Sequence, residues 1–182
     1  MKHIGTKRYE TERLILRPFT EDDAEKVFYG WASDDEVTKY LTWPTHKNVE
    51  ASRGYIDYCL HLYDDPSQYQ WGIEVKATHE LIGNISVVRS SDDLESAELG
   101  WVLGRKYWGC GYMPEAASKV LEVLFDEVGM NCVYAEYDVN NPKSGRVMQK
   151  IGMKFEGVLR QAGRNNQGIV DCARYSILRC ER

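Results

Sequence analysis

One stretch of the chain constrains its fold more than any other. Ala97-Glu98-Leu99-Gly100-Trp101-Val102-Leu103 is an apolar run of strand length, and Gly104 to Gly111 is a basic, glycine-punctuated turn. Tyr112-Met113-Pro114-Glu115 then opens a helix, because Met113, Ala117, Val120, Leu121, Leu124 and Val128 recur at three- and four-residue intervals as one apolar stripe. Pro114 suits the first turn, where a missing N–H costs nothing, and Glu115 sets negative charge at the positive end of the helix dipole. The first N–H groups of a helix lack intrahelical partners, and Gly109 and Gly111 let the backbone curl so that several converge on an anion such as a phosphate. A tight strand-to-helix turn, with glycines serving backbone geometry only, explains the same letters.

The rest of the chain supplies the setting. With 182 residues, 43% hydrophobic and 28% charged, there is enough material for one good core, and a single domain spanning 1–182 is expected. A net charge of −5 argues against nucleic acid, which calls for a basic footprint, and suits a cationic amine. Cys59, Cys110, Cys132, Cys172 and Cys180 form no CxxC pair, so neither a zinc site nor a disulfide framework is expected, and no metal is assigned. No signal-length apolar core follows Met1 and no run reaches transmembrane length, so no membrane association is expected and a reducing cytoplasm is the simplest compartment.

In order, a polar lead-in over residues 1–10 precedes a short strand, Arg13–Arg17. Thr20, Ser33 and Asn48 are helix caps, opening helices that end near Trp31, Tyr40 and Tyr63. A hairpin follows over Tyr69–Val75 and Leu81–Val88, then the strand already described. Beyond the long helix, Cys132–Asp138 is a strand that should run parallel to its predecessor in a right-handed crossover. A helix from Pro142 to about Ile151 ends at Gly152, and strands near Phe155–Arg160 and Asp171–Leu178 flank an Asn165-Asn166-Gln167-Gly168 turn. The order is β-α-α-β-β-β-α-β-α-β-β, an α+β chain with seven strands.

Known phosphate cradles discriminate further. A nucleotide P-loop needs Gly-Lys-Ser/Thr, but Gly111 is followed by Tyr112-Met113. A dinucleotide fingerprint needs a third small residue, where Pro114 stands. Lys106-Tyr107-Trp108-Gly109-Cys110-Gly111 resembles instead the Arg/Gln-x-x-Gly-x-Gly/Ala pyrophosphate loop of the GCN5-related N-acetyltransferases (GNAT), with lysine in the leading position. The run Tyr-Trp-Gly-x-Gly-Tyr-x-x-Glu-Ala is similar to the RimJ/RimL-like branch, whose named members acetylate ribosomal-protein N-termini. The resemblance covers nearly the whole chain. It implies a mixed α/β acyl-CoA N-acyltransferase fold: a central, mostly antiparallel seven-stranded sheet with helices on both faces and a splayed parallel strand pair that receives acetyl-CoA.

Residue roles follow from the resemblance. Backbone N–H groups from Tyr107 through Trp108, Gly109, Cys110 and Gly111 to Tyr112 hold the pyrophosphate, with Lys106 adding charge. Main-chain groups of Trp101, Val102 and Leu103 pair with pantetheine as an extra strand would. Asn141-Pro142-Lys143-Ser144 resembles the family's Asn-x-x-Ser, with Met153 in place of the commoner phenylalanine of a Gly-Phe ending. Asn141 reads either as a helix N-cap alone or as part of the coenzyme site, and Ser144 as a solvated serine or the proton donor to the departing thiolate. Glu98, opposite in parity to Leu99, Trp101 and Leu103, is either a salt-bridged strand residue or the base that deprotonates the amine. Tyr175 is read as core or a wall of the acceptor slot, and Cys110 as a spectator thiol. His3, His46, His61 and His79 are read as surface histidines. Trp31, Trp43, Tyr40, Tyr55 and Tyr58 are either core or the cover of the acceptor site.

The resulting expectation is an acetyl-CoA-dependent N-acetyltransferase acting by direct attack of a primary amine, with a protein N-terminus as acceptor. The alternatives are a small amine or antibiotic as acceptor, or a coenzyme-binding module without turnover. Monomer and homodimer stay equally open.

Overall fold

The computed structural model describes residues 1–182. Its strands are β1 (Tyr9–Glu10), β2 (Leu14–Arg17), β3 (Gln70–Val75), β4 (Leu81–Ser91), β5 (Ser96–Leu103), β6 (Cys132–Asp138), β7 (Lys154–Asn165) and β8 (Gly168–Leu178). The α-helices are α1 (Ala24–Val27), α2 (Asp35–Thr38), α3 (Val49–Leu62), α4 (Tyr112–Glu122) and α5 (Pro142–Lys150). The strands form one sheet in the order β1-β2-β3-β4-β5-β6-β8-β7, and every pairing is antiparallel except β5 with β6.

Side-chain alternation sends successive residues of the central strands into two cores. Ile82, Leu99 and Leu103 pack with Met113, Val120 and Leu124, the apolar stripe of α4. Leu81 and Val102, one position along, pack instead with Val27, Trp31 and Ile56 from the helical segment ahead of β3. Helices on both faces keep β3 buried at five of six positions, which is why it lacks a solvent-facing polar side.

The sheet has eight strands, one more than the sequence suggests. The addition is β1, whose Tyr9 and Glu10 pair with Leu16 and Ile15. Nothing local announces it: the Trp71 indole donates to Lys7 O at 2.8 Å, and Thr6 Oγ1 accepts from Gln70 N–H at 2.9 Å. Long-range contacts hold a lead-in that composition describes only as polar. The first helical region is also less regular than its cap implies, with a 3₁₀ turn at Glu21–Asp23 and a π turn at Phe28–Ala32 flanking α1. The stripe following Gly111 does stay helical to Val128, widening into a π-helical turn before Gly129 ends it at φ +94°. β7 and β8 run longer than their apolar cores, with the register shifting between Leu159 and Gly163. No helix is long and apolar enough to cross a membrane.

Candidate active site

β5 and β6 stay in register for three pairs only, Ser96 with Cys132, Ala97 with Val133 and Glu98 with Tyr134. On its other side β5 remains paired to β4 as far as Leu103. The sheet therefore splits beside the second half of β5, and a cavity of about 990 Å³ occupies the split. Hydrogen-bond parity fixes which groups face it. Gly104 N–H donates to Ile82 O at 2.8 Å, so main-chain groups of the even residues Gly100 and Val102 point to β4. Those of Leu99, Trp101 and Leu103 point toward the gap, where the Trp108 indole already donates to Leu103 O at 2.7 Å. The expected trio of Trp101, Val102 and Leu103 thus shrinks: Val102 borders the cavity, but its backbone belongs to the β4 ladder and its side chain packs in the core beside Trp31.

The turn after β5 is wound by its own backbone. Tyr107 N–H donates to Gly104 O at 2.9 Å and Trp108 N–H to Arg105 O at 3.2 Å. Those two amides are engaged, which corrects the expectation that the donor set begins at Tyr107. Gly109 and Gly111 follow at φ +79° and +80°, a left-handed bend open to glycine at little cost. Beyond the bend, the N–H groups of Gly109, Cys110, Gly111, Tyr112 and Met113 meet no protein acceptor. Five adjacent donors at a helix start form a cradle for an anion.

Charge around this cradle differs from expectation. Lys106 turns to Glu80, its Nζ 3.1 Å from Oε1, and does not line the cavity. The Cys110 thiol is exposed and also outside the lining. The cradle is instead braced by Arg13, just ahead of β2, a residue nothing in the local sequence singles out. Arg13 Nη1 donates to Cys110 O at 3.1 Å, Nε to Glu115 Oε2 at 2.7 Å, and the guanidinium lies 4.5 Å from the Tyr112 ring centroid. Glu115 also accepts from Thr11 Oγ1 at 2.5 Å and Arg13 N–H at 2.8 Å. Burial would raise the Glu115 carboxyl, but these hydrogen bonds outweigh it and hold it below the usual range. Glu115 is thus a brace between elements as well as a dipole partner.

Across the gap stands the start of α5. Asn141 occupies the N-cap position but its side chain accepts nothing from the helix. Its Nδ2 donates to Ser144 Oγ at 3.1 Å, which uses a serine lone pair and leaves the serine proton free to be donated. Gly145 lets the Tyr137 ring approach closely, since a β-carbon there would lie 2.6 Å from the phenol oxygen. Lys143 reaches back across the opening, its Nζ 3.5 Å from the Trp108 ring centroid.

The opposite end of the cavity is acidic. Glu98 is 9% exposed and its Oε2 has no hydrogen-bond partner, with Arg89 Nη1 the nearest cation at 3.4 Å. Burial raises the Glu98 carboxyl above the usual range; Arg89 opposes this and neighbouring Glu136 adds to it. Glu136 is itself held by Arg174 Nη2 at 2.5 Å. Asp138, 5% exposed, accepts from Asn140 N–H at 2.9 Å and Asn165 Nδ2 at 2.8 Å, with no cation paired to it. Tyr40, Trp43, Tyr55 and Tyr58 line this end, whereas Trp31 is core. Tyr175 is core too, its hydroxyl accepting from Gln149 Nε2 at 3.2 Å.

Asn166, legible in the sequence only as a turn residue, closes the wall. Its Nδ2 donates to Thr38 O at 2.9 Å and Trp43 O at 2.8 Å, and its N–H to Leu41 O at 3.1 Å. The last carbonyl of α2 and two carbonyls of the loop after it are thereby tied to the β7–β8 turn. No local pattern signals it, because the partners lie more than 120 residues away.

Comparison with known proteins adds to this geometry. Residues 13–154 match the family model described as an acetyltransferase (GNAT) domain. YoaA of Bacillus subtilis, described as an uncharacterized N-acetyltransferase, is 35% identical over 170 residues, covering 93% of this chain and 96% of its own. The uS5-alanine N-acetyltransferase of Escherichia coli is 24% identical, covering 85% and 82%. Among solved structures, a GNAT-family acetyltransferase from Bacillus anthracis superposes with a TM-score of 0.84 at 28% identity, covering 96% of this chain and all of the other.

Proposed function

The chain belongs to the GNAT acetyltransferase family, and from that footing we propose that its cleft transfers acetyl from acetyl-CoA to a primary amine, the α-amine of a protein N-terminus. The observation that carries this reading is the run of unpartnered amides, Gly109 to Met113, beside the parted half of β5. In this reading 1–182 act as one domain, since residues from β2 to β8 contribute, and the reaction runs in the cytoplasm.

The loop amides hold the diphosphate, while Trp101 and Leu103 offer main-chain groups to the pantetheine amides. The amine enters from the acidic end, where Glu98 takes its proton directly or through a water. A buried carboxylate of raised pKa is a better base than an exposed one. The amine nitrogen bonds to the acyl carbon as the carbon–sulfur bond breaks. The sulfur leaves with the proton of Ser144, one of whose lone pairs Asn141 occupies, and the hydroxyl regains a proton from the nitrogen, which must shed its second one, through water. Bringing the two reactants together supplies much of the remaining rate.

An N-terminal acceptor is supported by the name of the Escherichia coli relative and by buried carboxylates that suit an ammonium group. A compact amine is the second reading, favoured by the Asn166 tie that braces the wall beside Trp43. Free-thiol release from acetyl-CoA, measured with N-terminal peptides beside small amines, separates them. Turnover with peptides supports the first reading and turnover with small amines alone the second. No release with either would overturn both.

A further inference from the structure

We propose that Lys143, Arg146 and Lys150 of α5 form an anion subsite that reads the phosphate on the coenzyme's ribose, so that the enzyme prefers acetyl-CoA to its 3′-dephospho form. This deepens the proposed function and rests on acetyl-CoA docking at the glycine loop. The three residues fall at intervals of three and four, one stripe of the helix about 10 Å long. All three line the cavity, and none takes part in an ion pair.

Their freedom contrasts with the cations nearest the loop. Lys106 is matched to Glu80 and Arg13 to Glu115, so the amide cradle has no uncommitted positive side chain of its own. α5 carries no acidic residue that would relieve repulsion within the stripe, although the chain as a whole has a net charge of −5. Like charges at these spacings destabilise a helix unless an anion sits among them. The buried face of α5, Gly145 and Met148, fixes the stripe at the cavity mouth. Lys143, over the Trp108 ring, carries it up to the loop.

The coenzyme presents two separate anionic groups. Five main-chain donors suit the diphosphate; the ribose 3′-phosphate is a compact dianion that they cannot also surround. Lysine and arginine are the side chains that match such a group.

The test compares acetyl-CoA with 3′-dephospho-acetyl-CoA, in binding and in turnover, for the parent and for the double variant R146Q/K150Q. The parent should bind acetyl-CoA about tenfold more tightly, as expected for one or two charge-assisted contacts at an exposed site, and the margin should narrow with added salt. In the double variant acetyl-CoA affinity should fall to the level of the dephospho form. Thermal melting of the variant checks that it is folded. Equal affinity of the parent for the two coenzymes, or an unchanged ratio in a folded variant, overturns the subsite. If both coenzymes bind but neither supports turnover, the transfer reading fails while the binding ratio still decides the stripe.

Discussion

At the glycine loop the cleft offers main-chain N–H groups presented by one short, continuous segment, Gly109 to Met113. At the other end it offers side chains: Glu98 from β5, Glu136 and Asp138 from β6, Tyr55 and Tyr58 from α3, and a loop held in place by Asn166. The first end is local in sequence and nearly independent of which side chains it carries, Arg13 excepted. The second exists only once distant segments have met. A site made of backbone suits a constant ligand, the coenzyme, whereas a site made of scattered side chains can be re-cut for different acceptors.

The largest effect should come from breaking the backbone end. G111V places a β-branched residue at φ +80°, where only glycine is comfortable. Loss of one or two charge-assisted contacts implies a fall of about 100-fold in kcat/KM for acetyl-CoA, with amine KM little changed. A variant that kept full coenzyme use would show that the bend is ordinary turn geometry.

E98Q attacks the side-chain end and should lower kcat by about 100-fold, the lower part of the range for a general base. The sign of its pH dependence follows from the raised carboxyl. The parent rate should climb with pH through a midpoint above the usual glutamate range, and E98Q should lose that climb. Stability should move the opposite way. A carboxyl whose folded pKa is raised loses stability as pH climbs from its unfolded to its folded value, so the parent should lose ground to E98Q across that window and the gap should be level below and above it. A parent profile that is flat through this range would reduce Glu98 to a strand residue paired with Arg89.

N166A should have the smallest effect and the most selective one. Two side-chain hydrogen bonds of about 1 kcal/mol each are lost, which lowers the melting temperature by about 4–8 °C. Amine KM should rise about fivefold while acetyl-CoA KM holds, because the lost bonds end on Thr38 and Trp43. Equal rises in both would mean that the two ends are not separable.

The same contrast explains what could be read in advance. The strand, bend and helix from Ala97 to Val128 announce themselves because each depends on neighbours within a few residues: a periodic stripe, two glycines, a proline in the first turn. The parallel pair was legible from the crossover helix, which dictates direction; its splitting was legible only through resemblance, since that helix does not say where pairing stops. Arg13 and Asn166 were not legible, because each acts on residues about 100 or more positions away and neither stands in a motif. Asn141 was half legible. Its position as N-cap is correct, but its side chain turns to Ser144 instead of the helix, a choice made by the surrounding packing. The pairing of Lys106 with Glu80 was not legible either, because Glu80 lies across the turn, out of view of the local sequence.

Residue-resolved amide exchange, with and without saturating acetyl-CoA, reaches the heart of the matter. The amides of Gly109, Cys110 and Gly111 should exchange quickly in the free protein and slow by tenfold or more with coenzyme, together with Trp101 and Leu103. Gly100 and Val102, already bonded to β4, should be slow throughout. If acetyl-CoA binds and the Gly109–Gly111 amides exchange as before, the coenzyme is gripped elsewhere and this account of the cleft is wrong.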